Sequence, residues 1–244
     1  DLHLCDRRQR QMCIRDRSLT GGGAVPRPGE ISLAHNGVLF LDEMPEYSRA
    51  TLESLRQPLE DGVITISRAT GNVTYPANVM LVGSMNPCPC GNFGSHDKIC
   101  TCTPSQIQKY RSRISGPLLD RVDLQVQVDS VKYSELASEE EGEFSAIVRA
   151  RVNRARAIQA ERFREDPIMT NSEMGEKQIA KYCPLTKECE EILKEAYSSL
   201  NLSARARSRI IKVARTIADI ALSEQILPAH VLEAIGYRSA ELDL

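Results

Sequence analysis

The sequence predicts an α/β half followed by an all-helical half. Two short, continuous apolar runs, Val38–Leu41 and Val79–Val82, read as strands of a parallel sheet buried on both faces. Between them, the β-branched alternation of 63–67 and 73–75 around a Gly71-Asn72 turn reads as a β-hairpin. Beyond an acidic, glycine-containing stretch at 138–143, the apolar spacing is helical throughout. The boundary between the halves is expected at 134–143.

In chain order, residues 1–17 hold five Arg and two Cys with neither a helical nor a strand period, so they read as foreign or disordered. Gly21-Gly22-Gly23 and Pro26-Arg27-Pro28-Gly29 make a loop, because that density of Gly and Pro cannot hold a helix interior. Glu30 to His35 is a helical turn. Ser48 to Glu60 is a helix with Leu52, Leu55 and Leu59 on one face, stopped by Asp61-Gly62. A cysteine-rich loop follows the second apolar strand, then a helix over 105–114 and an alternating strand over 124–128. Five helices are expected near 144–165, 173–182, 186–200, 203–223 and 228–238, the last opening on Pro228, where a missing N–H costs nothing.

Composition excludes several functions. The 244 residues carry 31 basic and 33 acidic side chains, a net charge of −2, which excludes a polycationic nucleic-acid coat. With no Trp and four Phe, stacking platforms for single strands are disfavoured. No apolar run approaches the ~18 residues of a membrane span, so no membrane partner is expected. Eight cysteines in a chain of this size without a secretory signal point to a reducing cytoplasm rather than a disulfide framework.

The chemistry sits at the strand ends. Val38–Leu41 runs into Asp42-Glu43, which places adjacent carboxylates at the carboxyl edge of a sheet, where α/β folds bind ligands. Such a pair can hold the magnesium ion of a nucleotide and orient an attacking water, or can simply cap a helix. Asn86 follows the second strand and offers an amide to a phosphate or to that water. Arg121, in Ser115-Gly-Pro-Leu-Leu-Asp-Arg121, is either an arginine finger toward a neighbouring subunit's phosphate or a partner of Asp120 or Asp123. Cys88-Pro-Cys90 and Cys100-Thr-Cys102 can supply four thiolates to tetrahedral zinc, with His96 as an alternative ligand. Reduced structural thiols and a redox pair remain open for the same cluster. Arg205, Arg207, Arg209, Lys212 and Arg215 spread over the non-core faces of one helix, either as a phosphate-binding surface or as a solvated face.

Taken together, the stretches Pro26–Glu43, Leu55–Gly62, Asn86–Gly91, Ser115–Arg121, Leu202–Ala206 and Ala214–Asp219 resemble the magnesium-chelatase-like AAA+ ATPases of the ComM/YifB family. The resemblance covers nearly everything after Ser18. It implies a partial AAA+ P-loop core over 18–134, a parallel sheet with an inserted hairpin, then a linker over 135–143 and an all-helical lid domain over 144–244. It further implies ATP and Mg2+ as cofactors, Asp42 and Glu43 as the Walker B magnesium and water residues, and Asn86 as sensor 1. The 63–75 hairpin matches the pre-sensor 1 hairpin, Arg121 the arginine finger, and Arg205 the sensor 2 residue of the lid. The family's hexameric rings, and ComM branch migration of DNA in natural transformation, are the implied assembly and activity. The same module serves as a magnesium-chelatase motor, and a zinc-stabilised interaction module without catalysis is a third reading. One motif is missing: no Gly-x-x-x-x-Gly-Lys-Ser/Thr phosphate loop occurs, and no Lys-Ser/Thr follows Gly21–Gly23. The chain therefore reads as the C-terminal part of a longer ATPase.

Overall fold

The computed structural model describes residues 19–23, 26–68, 71–95, 98–128, 142–200 and 202–239. The expected foreign segment 1–17, the linker residues 135–141 and His96 lie outside them. The chain divides into two units, the first ending at Arg121 and the second beginning at Val122.

In the first unit, a helical turn, α1 (Glu30–Leu33), precedes β1 (Val38–Leu41). The expected helix over 48–60 forms as two pieces, α2 (Arg49–Ser54) and α3 (Arg56–Asp61). Pro58 has no N–H for the Ser54 carbonyl, which is why the helix is interrupted near Leu55. Ser48 caps α2 through its hydroxyl, and Gly62 closes α3 at φ 66°, a left-handed position that glycine adopts at no steric cost. The hairpin β2 (Val63–Arg68) and β3 (Gly71–Pro76) pairs Ile64 with Tyr75 and Ile66 with Val73. Then come β4 (Met80–Gly83), α4 (Pro104–Arg111) and the short α5 (Gly116–Leu119). Leu19, Ile31, Leu41, Leu52, Leu55 and Leu118 form the centre of the core.

β1 and β4 pair in parallel, as the two apolar runs require, with Val38 opposite Met80 and Leu41 opposite Gly83. Two expectations need correction. β1 is not buried on both faces: Leu39 and Leu41 point into the core, whereas Val38 and Phe40 are 59% and 58% exposed. Among the described residues, only one face of this sheet is covered. Leu124–Val128 is not a strand either. Its residues pair with no strand among those described, and Gln125 instead donates its N–H to the Tyr237 carbonyl at 2.9 Å. Alternating apolar residues make a strand only where a neighbour supplies the ladder.

The second unit is helical: α6 (Ser145–Arg162), α7 (Glu176–Tyr182), α8 (Lys187–Ser199), α9 (Ala204–Ile220) and α10 (Pro228–Ser239). Thr186 and Ser203 cap α8 and α9 through their hydroxyls. α9 packs against α6, α7 and α10, and Ile210, Ile211, Ala214, Leu193, Met174 and Val231 fill the space between. Cys183 and Cys189 lie in this core as free thiols, and burial pushes the Cys183 thiol up to about 11.

Through this core runs a polar seam. Asp219, fully buried, accepts from Arg162 through both carboxylate oxygens, from Arg215 Nε at 3.1 Å and from Asn171 Nδ2 at 2.8 Å. Arg215 also donates to the carbonyls of Ser223 and Glu224. Arg215 is thus 3% exposed and is no part of a basic face, contrary to expectation. It sits one turn after Ile211 and one turn before Asp219, on the helix's inward stripe.

Candidate active site at the strand tips

Parallel pairing brings the carboxyl ends of β1 and β4 to one edge, and the register sets Ser84 beside Asp42. The ladder continues past the strands, with Ser84 N–H on the Leu41 carbonyl at 3.0 Å and Met44 N–H on the Ser84 carbonyl at 2.9 Å. The Ser84 hydroxyl donates to Asp42 Oδ1. The Glu43 N–H reaches both Asp42 Oδ1 and Ser84 Oγ at 3.1 Å. Glu43 itself is held at φ 49°, ψ 50°, a left-handed conformation that costs a non-glycine residue roughly 1 kcal/mol or more. Gly83 allows the turn to close: a Cβ there would meet Met44 Sδ at 2.1 Å. Asp42 and Glu43 are both exposed at this edge. Glu43 stands at the N-cap of a single 3-10 turn, Met44–Glu46, but its side chain makes no capping hydrogen bond there, and α2 is capped by Ser48.

Asn86 stands two residues beyond Ser84, exposed, on the same edge. Its main chain is hydrogen-bonded to the Tyr110 hydroxyl. Arg111 Nε donates to the Pro87 carbonyl at 3.0 Å, and its guanidinium lies over the Phe93 ring, 5.0 Å from the centroid. Arg113 donates to the Pro45 carbonyl at 2.8 Å and to Glu46 at 3.1 Å. The C-terminal turn of α4 therefore grips both strand-tip loops. Sequence reasoning missed Ser84, Tyr110, Arg111 and Arg113. Register arithmetic between two parallel strands would have found Ser84; the α4 contacts join residues far apart in the chain and leave no local signal.

The remaining arginines expected at the site lie on other elements. Arg121 follows α5, its side chain mostly buried, and forms an ion pair with Glu60 of α3 while donating to the Pro117 carbonyl. Asp123, one of the two partners expected for Arg121, is paired with Arg209 instead. Arg205 is exposed in the first turn of α9. On the same helix, Arg207 pairs with Glu190, and Lys212 donates to the Ser172 carbonyl. These contacts engage Arg207, Arg209 and Lys212 of the stretch that reads as a phosphate surface or as a solvated face.

Cys88, Cys90, Cys100 and Cys102 converge, with all four sulfurs within 4.8 Å of one another. Cys88 lies 3.4 Å from Cys90 and 3.7 Å from Cys100, and Cys90 lies 3.6 Å from Cys100. A tetrahedral ion with metal–sulfur bonds of about 2.3 Å spaces its ligands by about 3.8 Å, so the cluster fits a four-thiolate metal centre. Main-chain N–H groups point at the sulfurs. Phe93 donates to Cys88 at 3.3 Å, and those of Asn92 and Thr101 hold Cys90 down to about 5. Burial pushes Cys102 up to about 12.

A family model described as magnesium chelatase, subunit ChlI, matches residues 6–136, more than half of the chain. This chain belongs to the magnesium chelatase ChlI family. A second model, for the ChlI C-terminal region, matches residues 142–238. Relatives of this ChlI-family chain include the competence protein ComM of Haemophilus influenzae, 46% identical over 91% of the chain, and the protein YifB of Salmonella typhimurium, 44% identical over 92%. Each match covers 43% of the relative, so the chain spans less than half the length of these curated relatives. The magnesium-chelatase 67 kDa subunit of Chlorobaculum tepidum is 27% identical over 40% of the chain.

Proposed function

We propose that this chain is the hydrolytic and lid portion of a Mg2+-dependent AAA+ ATPase that works as a hexameric ring on DNA, in the manner of ComM branch migration. The observation that supports this best is the shared edge at which parallel pairing sets Ser84 beside Asp42 and Glu43, with Asn86 two residues further on. Asp42 holds the nucleotide's magnesium, which supplies charge neutralisation on the transferred phosphoryl group. Glu43 orients and polarises the attacking water, and Asn86 hydrogen-bonds the γ-phosphate or that water. Arg121, once released from Glu60, is the finger offered to the neighbouring subunit, Arg205 the lid residue that senses the nucleotide, and the β2–β3 hairpin the element that faces the pore. The four-cysteine cluster takes zinc, and the thiols of the described cysteines, all free, suit a reducing cytoplasm. A magnesium-chelatase motor is the second reading, favoured by the similarity to the 67 kDa subunit. Forked-DNA binding and unwinding by the full-length protein separates the two: ATP-driven unwinding supports the DNA motor, and its absence with ATPase intact favours the chelatase motor.

Two further outcomes follow from the geometry. Ser84→Ala removes the hydroxyl that orients Asp42, a hydrogen bond worth about 1 kcal/mol. A Mg2+ titration of ATPase activity in the full-length variant is expected to show about fivefold weaker apparent Mg2+ affinity. An unchanged midpoint removes Ser84 from this role. Arg121→Ala is expected to lower turnover by about 10³-fold while nucleotide still binds. Normal turnover in that variant would remove Arg121 from the finger role.

A further inference from the structure

Residues 88–102 join the tip of β4 to the cap of α4. Cys88 and Cys90 stand at the strand end of this loop and Cys100 and Cys102 at the helix end, immediately before the capping Thr103. Among its described residues the loop holds little core of its own. Cys88 is buried, but Phe93 is 42% and Ile99 89% exposed. A segment that buries so little apolar surface needs another constraint to hold its ends together, and a bound metal supplies one. The far end of α4 then carries Tyr110 to the Asn86 main chain, Arg111 to the Pro87 carbonyl and Arg113 to the turn after Glu43.

We propose that a zinc ion on Cys88, Cys90, Cys100 and Cys102 staples α4 to the strand tip, so that Arg111 holds the Asn86–Pro87 segment in place for turnover. Arg111 is a positioning residue: it touches the main chain beside Asn86 and the Phe93 ring inside the metal loop, and so links the two. Zinc serves the hydrolytic step rather than nucleotide binding, because Asp42 and Ser84 belong to the β1–β4 ladder, which the loop does not enter. The inference rests on the ATPase reading of the strand-tip site.

The test uses the full-length protein. Metal analysis is expected to find about one zinc per subunit. Its removal by a reversible thiol reagent with a chelator is expected to speed amide exchange across 84–90 and to lower kcat about 10-fold or more, the loss typical of an outer-shell partner. ATP affinity stays within about twofold, and added Zn2+ restores both exchange protection and kcat. Arg111→Gln keeps the zinc and the thermal midpoint but shows the same kcat loss at unchanged ATP affinity, and Arg111→Lys recovers part of it. Full turnover and unchanged exchange in zinc-free protein overturn the staple and leave the ATPase reading intact. Failure to find or take up zinc also overturns the staple alone. A zinc-loaded wild-type protein with no ATPase activity overturns the ATPase reading, and the staple with it.

Discussion

Glu43→Gln in the full-length protein is expected to lower ATP turnover by about 10²–10⁴-fold, the range for losing a positioned general base, with ATP and Mg2+ binding retained. The substitution keeps side-chain length and removes only the charge. The left-handed backbone at Glu43 is held from outside the side chain, by its N–H on Asp42 and Ser84 and by Met44 N–H on the Ser84 carbonyl. Nothing in the turn has to move, so the loss is chemical. Steady-state ATPase and equilibrium nucleotide binding on the same preparation separate the two effects. Turnover within about threefold of wild type would remove Glu43 from the hydrolytic step.

The largest expected effect on stability is at Asp219, in the core of the second unit. Asp219→Ala leaves the guanidinium of Arg215, and most of that of Arg162, without their carboxylate in a sealed core. Breaking one partner out of a buried ion pair costs about 3–5 kcal/mol. Thermal unfolding of the full-length protein is expected to show the helical transition lowered by about 10 °C or more, at roughly 2–8 °C per kcal/mol. Asp219→Asn keeps one of the two accepting oxygens but sets its NH2 against the donors of Arg162, Arg215 or Asn171, and is expected to lose part of the same stability. A change of under about 2 °C in Asp219→Ala would mean that water or a rearranged neighbour replaces the carboxylate.

Much of this molecule was legible locally. The helix starts at Ser48, Thr186 and Ser203 are hydroxyl caps, and a cap is a property of four consecutive residues. The hairpin and the two apolar strands announce themselves by period and by glycine. What the sequence hid depends on partners distant in the chain. Leu124–Val128 alternates as a strand does, but no neighbour pairs with it among the described residues. Arg215 looked like surface because arginine usually is, although its position between Ile211 and Asp219 put it on the buried stripe. Asp42, Glu43 and Asn86 could be picked out by their places after apolar runs. Ser84 needs the register of the two strands as well as their periods, and Arg111 could not be picked out, since it acts on a residue that only the fold brings beside it.

Mixing inactive variants tests the central claim, an ATPase site completed by a neighbouring copy, most directly. Full-length Glu43→Gln and Arg121→Ala proteins, each inactive alone, are combined in equal amounts under conditions that allow subunit exchange, and ATPase activity is measured. If Glu43 of one subunit and Arg121 of its neighbour build one site, some interfaces in mixed rings regain both residues, and activity rises toward about a quarter of wild type, the fraction random mixing gives. A mixture as inactive as its components, with exchange verified, would contradict the account.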